Sequence, residues 1–426
     1  MVVVFIAFLI LLAIGMPVAF SVGISGILYL IQHPEIPLLQ MAQLALSQVQ
    51  NVNLLAVPLF IFAGNLMNTS GITERLLDLA EVVTGHMRGG MAQTSVVMST
   101  LMGGVSGSST ADAAMEARVL GPTMIATGYP KGYTAIVIGY TSLITSTIPP
   151  GVNLIVYGIT GSVSIGRLFM GGLMTGLYMM AALMITVAIT SRLRGFKPSR
   201  SKRASLRELF LNIKRSFWAL MFTVLLLVGI RFGVFTASEV GAFACIYALV
   251  IGLFVYKKIT WKSFVECLKV SVSDVGGIMF MISMTGIFGY GIPVDRVPQN
   301  LTKIMMAITT NPTLILLMIV GMLIIFGMFM DGGVIVLLLT PILLPVAKSI
   351  GLDPVFFGLI MCTVCCLGIL TPPVGVAMYI VCGILDVPMQ EWIKESWPFL
   401  ATILILIGIL IAFPSLVTFL PNLVYR

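Results

Sequence analysis

Charge is what this sequence has least of. Only 9% of its 426 residues are Asp, Glu, Lys or Arg, against roughly 25% in a soluble domain. A surface that large cannot be kept in water by so few charges, so soluble enzymes, disordered chains and nucleic-acid binders are excluded. Histidine is almost absent too: His33 and His86 stand alone, with no H-E-x-x-H pattern. No Gly-Lys dipeptide occurs, which excludes a G-x-x-x-x-G-K-[ST] phosphate loop. A chain without a nucleotide motor must draw its energy from elsewhere, and an ion gradient is the remaining source. The six cysteines (Cys245, Cys267, Cys362, Cys365, Cys366, Cys382) lie in or beside apolar segments. Cys362 and Cys365 make a C-x-x-C with no histidine near it, so packing between helices is the expectation, not metal or redox chemistry. The start of the chain lacks a basic n-region, and its apolar stretch 2–31 is too long for a signal h-region. That stretch reads as the first transmembrane helix.

What is present is apolar. Hydrophobic residues make up 58% of the chain, in continuous runs of the length that spans a bilayer, about 20 residues. A β-barrel would alternate instead. The strongest runs are 2–31, 45–68, 133–160, 168–190, 216–232, 237–256, 266–292, 355–385 and 397–421. The expectation is an all-α polytopic membrane protein.

The net charge of +8 is local. Segment 191–215 holds nine of the 24 basic residues and one of the 16 acids, leaving fifteen of each for the rest of the chain. Basic loops of this kind stay in the cytoplasm and meet anionic headgroups. Counting spans outward from it places Arg88, Lys131, Lys257, Lys258 and Lys262 on the cytoplasmic side as well.

Two further runs, 89–128 and 312–350, are interrupted near their middles. The first breaks at Gly103-Gly104-Val105-Ser106-Gly107-Ser108-Ser109-Thr110-Ala111-Asp112, the second at Met330-Asp331-Gly332-Gly333. Half-length helices meeting at a polar turn make re-entrant hairpins, which survive at membrane depth only where protein or a wet cavity satisfies their backbone. By the span count, the first hairpin opens from inside and the second from outside.

The halves repeat. Ile148-Pro149-Pro150-Gly151-Val152 resembles Thr371-Pro372-Pro373-Val374-Gly375, with the prolines 223 residues apart, and the same offset carries Gly104 to Gly327, Pro122 to Pro345 and Gly128 to Gly351. An inverted repeat with discontinuous helices is the mark of secondary transporters, with a site near the midplane. Proline pairs remove two N–H donors each and free carbonyls ahead of the break. Those at Thr145 to Ile148, with the Ser146 and Thr147 hydroxyls, and at Gly368 to Thr371 could ligate a small hard cation. Half-helix N-termini favour a carboxylate, and the hydroxyl-dense tip Ser106 to Thr110 could serve either ligand. Asp112 and Asp331 are carboxylates at bilayer depth, which costs roughly 2.5–3.5 kcal/mol on insertion scales. They are therefore ligand candidates, or else caps of the second half-helix. Asn153 is a weaker candidate. An intramembrane enzyme pairing Asp112 with Asp331, and an ion channel, are the competing classes.

Together Gly85-His86-Met87-Arg88-Gly89-Gly90, the run Gly103 to Ala114, Ile148-Pro149-Pro150, Gly327 to Asp331, Leu339-Thr340-Pro341-Ile342-Leu343-Leu344-Pro345 and Leu370 to Gly375 resemble the large membrane subunit of tripartite ATP-independent periplasmic (TRAP) transporters, the DctM-type permease. The resemblance covers most of the chain. It implies a sodium-coupled elevator importer of organic acids in the bacterial inner membrane. It also implies a small four-helix membrane subunit (DctQ type) and a periplasmic substrate-binding protein (DctP type) as separate chains. No other cofactor is implied. Carried over by position, sodium would lie at Ser106, Ser108, Ser146, Thr147 and Val152, and at Gly327, Asp331, Leu370, Thr371 and Pro373. Substrate would meet Ser106, Ser108, Ser109, Thr110, Asp112, Asn153 and Asp331. Gly332-Gly333 departs from the proline that many members carry there. The stretch 142–158 looks most like sialic-acid carriers, with C4-dicarboxylates open. The implied organisation is residues 1–44 and 216–265 as scaffold, 45–190 and 266–426 as the two repeats, and 191–215 as the cytoplasmic loop.

Overall fold

The computed structural model describes every residue except Leu38, Ser201 and Arg426, and leaves the side chains of Asn53 and Ala237 undescribed. Among the described residues the regular structure is helical throughout, with no strand. Six helices are long and apolar enough to cross a membrane, or up to eight if two bent pairs each count as one span.

The offset of 223 governs the architecture. In the first half, α5 (Ile72–Thr84) leads into the hairpin α6 (Gly90–Gly103) and α7 (Ser109–Val119), extended by α8 (Gly121–Ala126). The broken helix α9 (Lys131–Thr147) and α10 (Val152–Thr160) follows, then the long closing helix α11 (Ile165–Arg194). In the second half the same series is α15 (Val297–Ile308), α16 (Pro312–Gly327), α17 (Gly332–Ser349), α18 (Pro354–Gly368), α19 (Val376–Leu385) and α20 (Met389–Ala412). From the hairpins onward, each pair of helix starts falls within one residue of the offset. α10 and α19 are short because each follows a Pro-Pro break; the first pair bends by 42°.

Caps set several of these starts. Ser108 accepts from the Ala111 N–H at the head of α7, Asp331 from Gly333 N at α17, and Asp353 from Val355 N and Phe356 N at α18. Each satisfies donors that a helix leaves open.

The remaining helices are α1 (Val2–Ala13), α2 (Val18–Gln32), α3 (Leu39–Val49), α4 (Ala56–Thr69), α12 (Leu206–Arg231), α13 (Ala237–Val250), α14 (Trp261–Val294) and α21 (Pro414–Val424). Here the sequence reading needs correction. The run 2–31 is not one span. It turns at Gly15, whose φ of +88° suits glycine, and Pro17 starts it back. Phe5 meets Phe288 edge-on and Phe8 at a tilt while Phe20 meets Phe280, and Tyr29 donates to Asp295 at 2.8 Å. So α1 and α2 lie antiparallel along α14. The run 45–68 is likewise divided, by a 3-10 turn at Val52–Leu55. The run 397–421 ends at Phe413, where Pro414 begins a new helix. The basic segment is partly helical, since α11 extends to Arg194 and α12 starts at Leu206.

Its non-helical part docks on the first hairpin. Arg200 N donates to Gly85 O at 2.9 Å, and a Cβ at Gly90 would stand 2.8 Å from Ser199 N. Small residues at Gly85 and Gly90 let the loop lie against the hairpin's entry, while Gly89 lets α11 approach at Ser191.

Candidate functional site: a cavity where four chain breaks meet

Both hairpin tips are tied to the broken helix of their own half by a backbone bond, with donors at the offset and acceptors two residues out of register. Val152 N donates to Gly107 O at 3.2 Å, and Gly375 N, its counterpart 223 residues on, donates to Met328 O at 3.0 Å. Close backbone approach makes this possible. A Cβ at Gly107 would fall 2.3 Å from Pro150 O, and one at Gly327 would fall 2.6 Å from the Gly368 Cα.

Between the tips lies a cavity of about 550 Å³, within the range of small-molecule sites. The first tip supplies Ser106, Gly107, Ser108, Ser109 and Thr110, and the first break supplies Ser146, Val152 and Asn153. The second tip supplies Asp331, Gly332 and Gly333, and the second break supplies Ile369. The opposite wall belongs to α4 (Ile61, Gly64, Asn65, Asn68) and α14 (Asp274, Ile278, Met281, Ile282). Asn65 Nδ2 joins these two helices, donating to Ser271 Oγ at 3.0 Å and Asp274 Oδ2 at 3.2 Å.

The expected site residues divide accordingly. Ser106, Ser108, Ser109, Thr110, Ser146, Val152, Asn153 and Asp331 face the cavity. Asp112 lies behind the first tip, fully buried. It accepts from Ser106 Oγ at 2.7 Å, and its other oxygen has no partner. Thr147 turns away, donating to Leu143 O and Met179 Sδ. Gly327, Leu370, Thr371 and Pro373 line no part of the cavity. The Leu370 carbonyl accepts from Trp392 Nε1 at 3.2 Å, and Thr371 Oγ1 donates back to Leu367 O. Asp331 has the capping geometry described above while also lining the cavity. The cysteines pack as expected. Cys366 Sγ accepts from Ser146 Oγ and Asn153 Nδ2, joining the two broken helices.

Three polar residues escaped the sequence reading. Asn65 and Asp274 form the far wall. Glu116, fully buried, accepts from Ser95 Oγ at 2.7 Å and Ser99 Oγ at 2.6 Å, tying α7 to α6. The rule that singled out Asp112, a carboxylate inside an apolar run, applies equally to Asp274 and Glu116.

Two inverted helical halves, each with a hairpin and a broken helix, enclosing at their junction a cavity with polar groups from both tips, have the build of a membrane carrier. The family model described as tripartite ATP-independent periplasmic transporter, DctM component, matches residues 5–416, and the chain belongs to that family. It is 34% identical over 413 residues to the sialic acid TRAP transporter large permease protein SiaM of Vibrio cholerae, covering 97% of this chain and 96% of that one. It is 31% identical to the C4-dicarboxylate TRAP transporter large permease protein DctM of Pseudomonas aeruginosa, covering 94% of each. With the 2,3-diketo-L-gulonate TRAP transporter large permease protein YiaN of Escherichia coli the identity is 30%, covering 97% of this chain and 95% of that one. The crystal structure of the Alcanivorax borkumensis YdaH transporter has a similar fold, with a TM-score of 0.61 at 12% identity over 88% of each chain. The chain is thus a multi-pass inner-membrane TRAP permease and not an enzyme.

Proposed function

We propose that this chain is the subunit through which an organic acid crosses the inner membrane, driven by sodium and moved by an elevator motion. The observation that carries this reading is the cavity shared by all four chain breaks. A hydroxyl-rich tip and the N-terminus of α7 offer donors to a carboxylate. Carbonyls and hydroxyls at the breaks offer oxygen to a small cation, with the first site around Ser106, Ser108, Ser146, Thr147 and Val152. The second would lie around Gly327, Asp331, Leu370, Thr371 and Pro373. The relatives' names, which include sialic acid, C4-dicarboxylate and isethionate carriers, support the organic-acid class.

In this reading the hairpins and broken helices form the moving body, and α12, α13 and their neighbours form a scaffold holding a small membrane subunit. A periplasmic binding protein delivers the substrate. Two sodium ions carried with a monoanion move one net positive charge inward, which gains about 2.3 kcal/mol per 100 mV of inside-negative potential.

Proteoliposomes holding this chain, its small subunit and a binding protein test the proposal. Uptake should require inward sodium and should accelerate with a negative interior. Uptake indifferent to both removes the coupling. Efficient uptake by the chain alone replaces the three-part system with a one-component symporter.

A further inference from the structure

The cavity has an uneven chemistry, and that unevenness narrows the substrate. Among the described residues, none that lines it is Lys, Arg or His. One side is rich in donors: the hydroxyls of the first tip and the open N–H groups at the head of α7. The other side ends in a carboxylate; Asp331 also reaches the cavity, from the second tip, where it is engaged in capping α17 by accepting from Gly333 N. Asp274 reaches the wall from α14, where it accepts from Asn65 Nδ2. Asn68, one turn along α4, extends the same polar wall. The two sides stand close together, because α4 presses against the first tip at Gly64. A Cβ there would lie 3.2 Å from Ser106 O. A solute held by its carboxylate at the tip therefore points its other end toward Asp274 and the asparagines.

Taking the organic-acid reading above as its basis, we infer that the substrate is a monocarboxylate with hydrogen-bond donors, such as hydroxyls, at its far end, and that Asp274 excludes dicarboxylates. A hydroxyl donates to Asp274 and is accepted without cost. A second carboxylate would meet a like charge with no base beside it, and juxtaposed like charges reject the wrong partner strongly.

The test uses the full chain in lipid nanodiscs with Ile61→Cys as a reporter in the cavity wall. The six native cysteines are buried, so a maleimide reports the new thiol. Gluconate and succinate are titrated as protectants at fixed sodium. Gluconate should protect at a concentration at least ~10-fold below that of succinate, as like-charge rejection requires, and adding Asp274→Asn should close most of that gap. Succinate protecting as well as gluconate, or better, overturns the inference while leaving the organic-acid reading in place. A gap unchanged by Asp274→Asn overturns the role of Asp274. Protection by neither acid overturns this inference, and the organic-acid reading falls with it only if the three-part proteoliposomes also take up no organic acid. The comparison on the Asp274 chain needs no variant at that position to fold.

Discussion

Replacing Glu116 by alanine should loosen the first hairpin more than any change at its exposed surface. Glu116 is fully buried between the hairpin arms and accepts two short hydroxyl hydrogen bonds, from Ser95 and Ser99, which lie one turn apart on α6. Thr141 on α9 approaches the same carboxylate at 3.5 Å. Alanine removes the acceptor and leaves two hydroxyls without it. Each hydrogen bond contributes about 1 kcal/mol if Glu116 is neutral and about 1.5–3 kcal/mol if it is charged. Both serines can turn back to a carbonyl of their own helix, which recovers part of the loss. The lost packing of the side chain adds to the cost. The expected total is about 2–5 kcal/mol, read as a clear drop in the thermal midpoint of the detergent-solubilised chain. Glu116→Gln keeps one carbonyl oxygen in place and should recover more than half of that drop. If Glu116→Ala leaves the midpoint unchanged, or if Glu116→Gln is as damaging as alanine, the hydroxyl clamp does not hold the hairpin together.

Asp331→Asn should preserve the α17 cap, because Asn caps as well as Asp, whereas Asp331→Ala should cost about 1 kcal/mol of stability. If both nonetheless raise the sodium concentration needed for half-maximal uptake, the carboxylate acts on the cation, and if only alanine does so, it acts as a cap. Gly327→Ala should cut uptake at least ~10-fold with normal insertion, because the new methyl meets the Gly368 backbone, which cannot yield as a flexible side chain would; wild-type uptake would show that this contact gives freely. Trp392→Phe should leave the Leu370 carbonyl without its donor, a loss of about 1–3 kcal/mol in thermal stability, and an unchanged midpoint would mean that the indole bond carries nothing.

The sequence showed its breaks far better than its walls. Pro149-Pro150, Pro372-Pro373 and the glycine-serine tip are visible because residues that cannot continue a helix stand in apolar runs where nothing else explains them. Their recurrence at one offset then exposed the repeat. The turn at Gly15 to Pro17 is different. It sits in a run apolar on both sides, so hydropathy reads straight through it, and only the aromatic contacts with α14 reveal the reversal. α5 and α15 are amphipathic connectors too polar to register as spans. Asn65 and Asp274 are polar positions within predominantly apolar helices. Hydropathy cannot say whether such a residue faces lipid, a neighbouring helix or a cavity, because that depends on how α4 and α14 lie against the hairpin tip.

The paired bonds from Val152 N to Gly107 O and from Gly375 N to Met328 O bear on how the cavity can open. A tip that peeled away by itself would strand a donor and an acceptor in a region poor in water, at several kcal/mol for each group left unpaired in hydrocarbon. Each tip and the broken helix beneath it therefore behave as one mechanical part, like a latch forged to its hinge plate. Under the proposed elevator motion, the passage for the solute is made along the seam with α4 and α14. At Gly64 that seam brings bare backbone against Ser106, a close approach that any larger residue there would obstruct.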